Sequence, residues 1–298
     1  MVKNESGTQS KSVSIRPNIV LFIFMIWVTV FPPITLFIFD GVVNTLVLHA
    51  LTVVEKCAIP VILYLLIAKE RPKAVLSISP IGLKNSLYVI GITLSWFPFV
   101  SLLFWGVPFL TDTLPTEMIP FNNIWIGILT GGLVIATVEE LLYRGPVYHE
   151  YRKQGASIWK IALITGAFFG FVHGGVVQVS YAAVWGFGMA FMLYYTRSIL
   201  APIMSHIIGN SLGHLLSPMY YVDTYTDLIN LMPTFLTVMG AAALVLLPVG
   251  VVCWKKMISD NPRKDVVFAK ESKAFKISFW VLIAIMIVLF IIRDIVFA

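Results

Sequence analysis

Long apolar runs separated by short polar connections dominate the chain. Nine of them read as membrane spans, at about 17–39, 42–67, 84–108, 122–143, 157–174, 178–196, 198–216, 228–253 and 276–296. A helix needs about 20 predominantly apolar residues to cross a bilayer. The pattern therefore predicts an all-α, polytopic transmembrane helix bundle, with a core of polar-residue-bearing spans four to seven over 122–216. Eight spans remain an alternative, because span two contains Glu55 and Lys56 and span seven is short and interrupted. The first run follows Lys3, Lys11 and Arg16 in the manner of a signal peptide. It is long, however, holds Pro32-Pro33 and ends without an A-x-A-like site, so it is read as an uncleaved span. No repeat, low-complexity tract or linker divides the chain, which is expected to form a single membrane domain over 1–298.

Composition agrees with this pattern. The 298 residues are 58% hydrophobic and 12% charged, with mean hydropathy +0.89, against roughly half apolar and a quarter charged in soluble domains. The net charge of +6 and pI near 9.2 do not point to nucleic acid, because the cations occupy short loops. Lys69, Arg71, Lys73 and Lys84 lie between spans two and three. Arg152, Lys153 and Lys160 fill the next alternate connection, and Arg197 sits between spans six and seven. The intervening connections hold Asp40, then Asp112 and Glu117, then Asp223 and Asp227, without Lys or Arg. This alternation predicts a multi-pass integral membrane protein with a cytoplasmic N-terminus. Residues 254–275 are predicted to be a cytoplasmic basic loop beside anionic lipid. Cys57 and Cys253 lie in apolar runs and form neither a disulfide framework nor a metal spacing.

Charges inside a span are costly and are functional candidates by default. Glu139, Glu140 and Arg144 end span four in EELLYR; His173 ends span five in FGFVH, four residues after Phe169; His206 and Asn210 share span seven in HIIGN. Glu140 and Arg144 are i and i+4, so they share a helix face and form the natural ion pair. Glu139 points about 100° away, with Leu142 and Tyr143 rather than cations one turn on. It is the candidate for proton transfer, and Glu140 for structure.

Depth brings Glu139 and His173 to one level. Their midpoint is residue 156, beside the breaker Gly155, so in a hairpin each lies about 25 Å from the turn. Span four must then run on through HEYRK, bent at Gly145-Pro146. Gly166, Gly170 and Gly174, with Gly127 and Gly131, are expected to let these two spans approach closely. On span seven, His206 and Asn210 share a face and offer N–H groups of the kind that stabilise an oxyanion. Together with a Glu–His pair able to deprotonate water, they suit hydrolysis of an amide bond.

Each cluster also has an ordinary explanation: an ion pair as structural glue, a lone His in a span, and an Asn bonding between helices. Glu55 and Lys56 are read as facing the bundle interior or snorkelling, His149 as cytoplasmic, His49 and His214 as unassigned, and Trp96 and Phe97 as span filler. Three clusters of compatible types on three spans favour an enzyme. The alternatives are a non-catalytic immunity or scaffold protein of the membrane, and a proton-coupled transporter, for which repeat symmetry is missing.

Glu139-Glu140 with Arg144, Phe169 to His173, and His206 to Asn210 resemble, in order, the EExxxR, FxxxH and HxxxN motifs of the CAAX protease and bacteriocin-processing (Abi) family. The resemblance covers about residues 130–215. It implies an intramembrane endopeptidase in which Glu139 and His173 activate a water, while His206 and Asn210 hold the developing oxyanion. Glu140, Arg144 and Phe169 then support the site. The implied partners are a membrane-associated peptide or protein substrate and the lipid bilayer. Members act in bacteriocin immunity or maturation, or trim prenylated C-terminal motifs, and the sequence does not choose between them. Some are described as metalloproteases. No HExxH is present, and the favoured mechanism uses no metal; a single divalent ion such as zinc would fall to the same Glu and His residues.

Overall fold

The computed structural model describes residues 16–39, 45–111, 124–173, 176–216, 225–263, 276–285 and 287–288, and among these no strand occurs. The elements are α1 (Arg16–Phe39), α2 (Thr45–Ala68), the single turn α3 (Pro72–Val75) and α4 (Leu83–Thr111). Next come α5 (Ile124–Lys153), α6 (Ile158–Phe171), α7 (Val176–Thr196), α8 (Leu200–Leu216), α9 (Tyr225–Asp260) and α10 (Lys276–Ile285). Asp40, Asp112, Glu117, Asp223, Gly174, Lys3 and Lys11, used in the sequence reading, lie outside the described residues, as do residues 264–275 of the expected basic loop and the end of span nine.

The bundle buries polar side chains within a largely apolar core and turns large apolar ones outward. Asn18, Thr52, Thr93, Ser95, Glu139, Glu140, Arg144, Glu150, Thr165, Ser205 and His206 are buried, while Phe37, Ile67, Leu83 and Leu244 stand at least 78% exposed. Water would penalise such a surface, and lipid does not. Five described helices are long and apolar enough to cross a bilayer: α1, α4, α5, α9 and the Leu51–Ala68 part of α2. With the CAAX-type motifs they make this an integral membrane protein. Hydropathy predicted more spans than these five. One expected span, α6, has 14 residues and reaches only about 21 Å.

Two other expectations change. α9 continues to Asp260, so residues 254–260 are helix rather than the start of a loop. Met257 is fully buried among Val89, Ile92 and Met192, with Trp254 packed against them, and this apolar contact carries the helix past Lys255 and Lys256. The glycine seam also has a different partner. A Cβ on Gly166 would stand 2.8 Å from the Ala183 carbonyl and the Phe187 nitrogen, and one on Gly170 2.9 Å from the Val179 carbonyl. The seam therefore seats α6 on α7, not on α5. Gly131 and Gly132 receive His214 and Ser211 of α8.

The turn between α5 and α6 follows the expected breaker. Gly155 adopts φ +78°, the left-handed conformation that ends helices cheaply only at glycine. Ser157 then caps α6, its hydroxyl accepting from the Lys160 N–H at 3.4 Å.

Candidate active site

Helix α5 is not uniform. Regular α-helix over Ala136–Leu142 carries both glutamates, and π-helical turns flank it at Ile128–Ile135 and Tyr143–Val147. Such wide turns are uncommon and cluster at functional sites. Gly145 has non-helical dihedrals (φ −83°, ψ −112°) just before Pro146, so the helix bends where the proline removes a backbone donor.

On this helix Glu140 and Arg144 are fully buried and paired. Arg144 Nη1 donates to Glu140 Oε1 at 3.2 Å, and Nε lies 3.1 Å from Oε2. Its other arm donates from Nη2 to the Gly186 carbonyl of α7 at 2.7 Å, and its guanidinium lies 5.1 Å from the Phe169 ring centre. An arginine so held neutralises Glu140 in place.

Glu139, 3% exposed, faces two imidazoles. Its Oε1 is 4.0 Å from His173 Nε2, and its Oε2 is 3.8 Å from His206 Nε2. Both separations exceed a direct hydrogen bond and match the width that one bridging water spans. The backbone fixes the tautomer of His173. Nδ1 lies 2.6 Å from the Phe169 carbonyl, which can only accept; Nδ1 therefore carries the proton, and the neutral ring turns a basic Nε2 toward Glu139. His206 Nδ1 lies 3.0 Å from Glu140 Oε1 and likewise donates to the ionised carboxylate. A donor at His206 Nε2 then requires the imidazolium.

Phe169 spaces the two rings. It packs 4.4 Å from His173 and edge-on to His206 at 5.4 Å, centroid to centroid. Asn210 shares the α8 face of His206 but bonds elsewhere: its Nδ2 donates to the Gly131 carbonyl at 3.0 Å, in the wide turn of α5. One N–H of the amide is thus engaged, and the second is its remaining donor.

Residues 121–212 match the family model described as "Type II CAAX prenyl endopeptidase Rce1-like". No curated protein and no solved structure matches the chain. Over that segment the chain is similar to the CAAX protease family. This is a family of membrane proteases, and the matched segment runs from α5 into α8 and contains all seven motif residues, His173 in the turn after α6.

Around the matched segment lie groups that the sequence did not single out. Gly186 holds the second arm of Arg144 and, having no side chain, leaves no chemical signal. Tyr143, one turn after Glu139, is fully buried between Phe168 and Phe169, and its hydroxyl lacks a hydrogen-bond partner among the described residues. Glu150, also fully buried, pairs with Arg16 at 3.0 Å and accepts from the Tyr64 hydroxyl.

Proposed function

We propose that this chain hydrolyses peptide bonds of membrane-associated peptides or proteins, with Glu139 and His173 activating a water and His206 with Asn210 holding the oxyanion. The observation that carries the proposal is the single buried carboxylate flanked by two imidazole Nε2 atoms at 4.0 and 3.8 Å. A water between Glu139 Oε1 and His173 Nε2 donates one hydrogen to each, since both atoms only accept. With hydrogen bonds of about 2.8 Å, acceptors 4.0 Å apart subtend about 90° at that water, near its own bond angle. Its lone pairs then face away from both groups, toward a scissile carbonyl.

As the water oxygen bonds to the carbonyl carbon, its proton passes to Glu139 and negative charge moves onto the carbonyl oxygen. His206 in its imidazolium form and the second Asn210 N–H stabilise that charge. Glu139 then returns the proton to the leaving amine as the C–N bond breaks. Glu140 and Arg144 fix His206 and take no proton. The favoured route uses no metal. Tetrahedral zinc ligands stand about 3.3 Å apart, closer than the Glu–His separations here, and no step runs through an ion. The matched family's printed name makes a prenylated C-terminal peptide of the CaaX type the first substrate to try.

The test is cleavage by the purified, lipid-reconstituted protein of farnesylated CaaX peptides and of unprenylated apolar peptides. Glu139→Ala is expected to lower the rate at least 100-fold, the smaller end of general-base contributions, while eluting as a monodisperse species. A chelator is expected to leave the wild-type rate unchanged. Full activity in Glu139→Ala removes Glu139 from the mechanism. One equivalent of metal, lost on substituting His173, overturns the metal-free choice.

A further inference from the structure

Three guanidinium groups converge on a second site, at the end of the bundle where α5, α7 and α9 terminate. Arg152, Arg197 and Arg263, with Tyr148, His149 and Ser77, line a cavity of about 210 Å³. Arg152 lies 5.1 Å and Arg263 4.7 Å from the centre of the Tyr194 ring, so one aromatic ring holds two like charges close together. Arg263 also donates to the Tyr194 carbonyl, which leaves its buried Nε without a hydrogen-bond partner among the described residues.

The nearby acids are already paired, Glu70 in part with His149 of the cavity wall. Glu70 is bound by His149 and Lys153, Asp260 by Lys84 and Tyr88, and Glu150 by Arg16 and Tyr64. Among the described residues no carboxylate lines the cavity. Burial, and then the charges of Arg197 and Arg152, push the Arg263 guanidinium below its ordinary value, which marks repulsion that an anion would relieve. Planar guanidinium forks match the oxygens of phosphate, and a basic pocket between helices at the membrane surface lies at headgroup depth.

We propose that this cavity binds a phosphate group through Arg152, Arg197 and Arg263, supplied by an anionic lipid headgroup or by free phosphate. The site is separate from Glu139 and its histidines, and the proposal does not depend on the protease reading.

The experiment titrates the purified full-length protein in detergent and follows thermal unfolding by tryptophan fluorescence. Its three arms are short-chain phosphatidylglycerol, inorganic phosphate and short-chain phosphatidylcholine. The expected result is saturable stabilisation by phosphatidylglycerol, by phosphate or by both, and none by phosphatidylcholine; the arm that saturates at lower concentration identifies the source. In Arg197→Gln/Arg263→Gln the half-saturation is expected to rise at least about tenfold, the loss of one charge-assisted hydrogen bond or more. Arg197→Gln alone alters an exposed side chain beyond the end of α7, and should show a smaller rise if the double variant does not fold. The proposal fails if neither anion gives a saturable shift, if phosphatidylcholine binds as well, or if the variants bind like the wild type.

Discussion

Glu139 and Glu140 are neighbours in sequence and opposites in circumstance. One turn of helix gives Glu140 a cation, and 100° of rotation leaves Glu139 with two histidines. Arg144 decides this division, and its value depends on three contacts made by one rigid fork: both oxygens of Glu140 and the Gly186 carbonyl. Arg144→Lys keeps the charge but cannot supply that geometry. It is expected to lose most of the stability that Arg144→Ala loses, about 3–5 kcal/mol for a buried charge left without its partner. Unfolding of the purified variants in denaturing detergent measures this, and a lysine variant as stable as wild type would show that charge alone suffices. The Glu140–Arg144 pair was legible in the sequence because i,i+4 contact is local to one helix. The Gly186 contact and the Arg16–Glu150 pair were not legible, because they depend on which helices become neighbours, and no periodicity within one segment encodes that.

Small residues decide those neighbours. Gly166 and Gly170 bring α6 against α7, and that packing sets where Phe169 and His173 sit relative to Arg144 and Glu139. Their four-residue spacing was readable; the helix they face was not, since a glycine seam fits any smooth partner. Gly166→Val would force a side chain to within 2.8 Å of backbone atoms of Ala183 and Phe187, which cannot rotate away. The expected outcome is loss of both cleavage and folded protein, at several times the roughly 1–3 kcal/mol typical of overpacking. Gly213 on α8 supplies the contrast, because a Cβ there meets nothing within 4 Å. Gly213→Ala should leave activity intact and stabilise by up to about 1 kcal/mol through reduced backbone freedom. Expression level, size-exclusion profile and cleavage rate of the two variants, compared side by side, check both. The wide turns of α5 left no trace in the hydropathy pattern either. Residues 128–135 are as apolar as an ordinary span, and only the Gly145-Pro146 pair announced a bend.

Over the whole molecule, motif-bearing α5 is held at one end by side chains from distant parts of the chain. Arg16 of α1 reaches Glu150, and Glu70, in the connection after α2, reaches His149 and Lys153 at 2.6 Å or less. The Glu70 clamp can be tested by pH. Burial raises the tendency of Glu70 to hold its proton, but the hydrogen bonds and charges of Lys153 and His149 outweigh it and keep the carboxyl below its ordinary value. A carboxyl depressed in the folded state contributes stability that is complete above the unfolded value, about 4.3, and is lost as pH falls through the lower, folded value. The site is partly exposed, so the contribution should stay under about 1 kcal/mol and shrink in high salt. Wild type is therefore expected to unfold at higher temperature than Glu70→Gln at pH 7 and at pH 5. That margin should narrow below pH 4 and close as Glu70 protonates, with the salt dependence disappearing alongside it. A margin unchanged down to pH 3 would mean that Glu70 acts through packing or neutral hydrogen bonds, and that ion pairing is not what secures this end of α5.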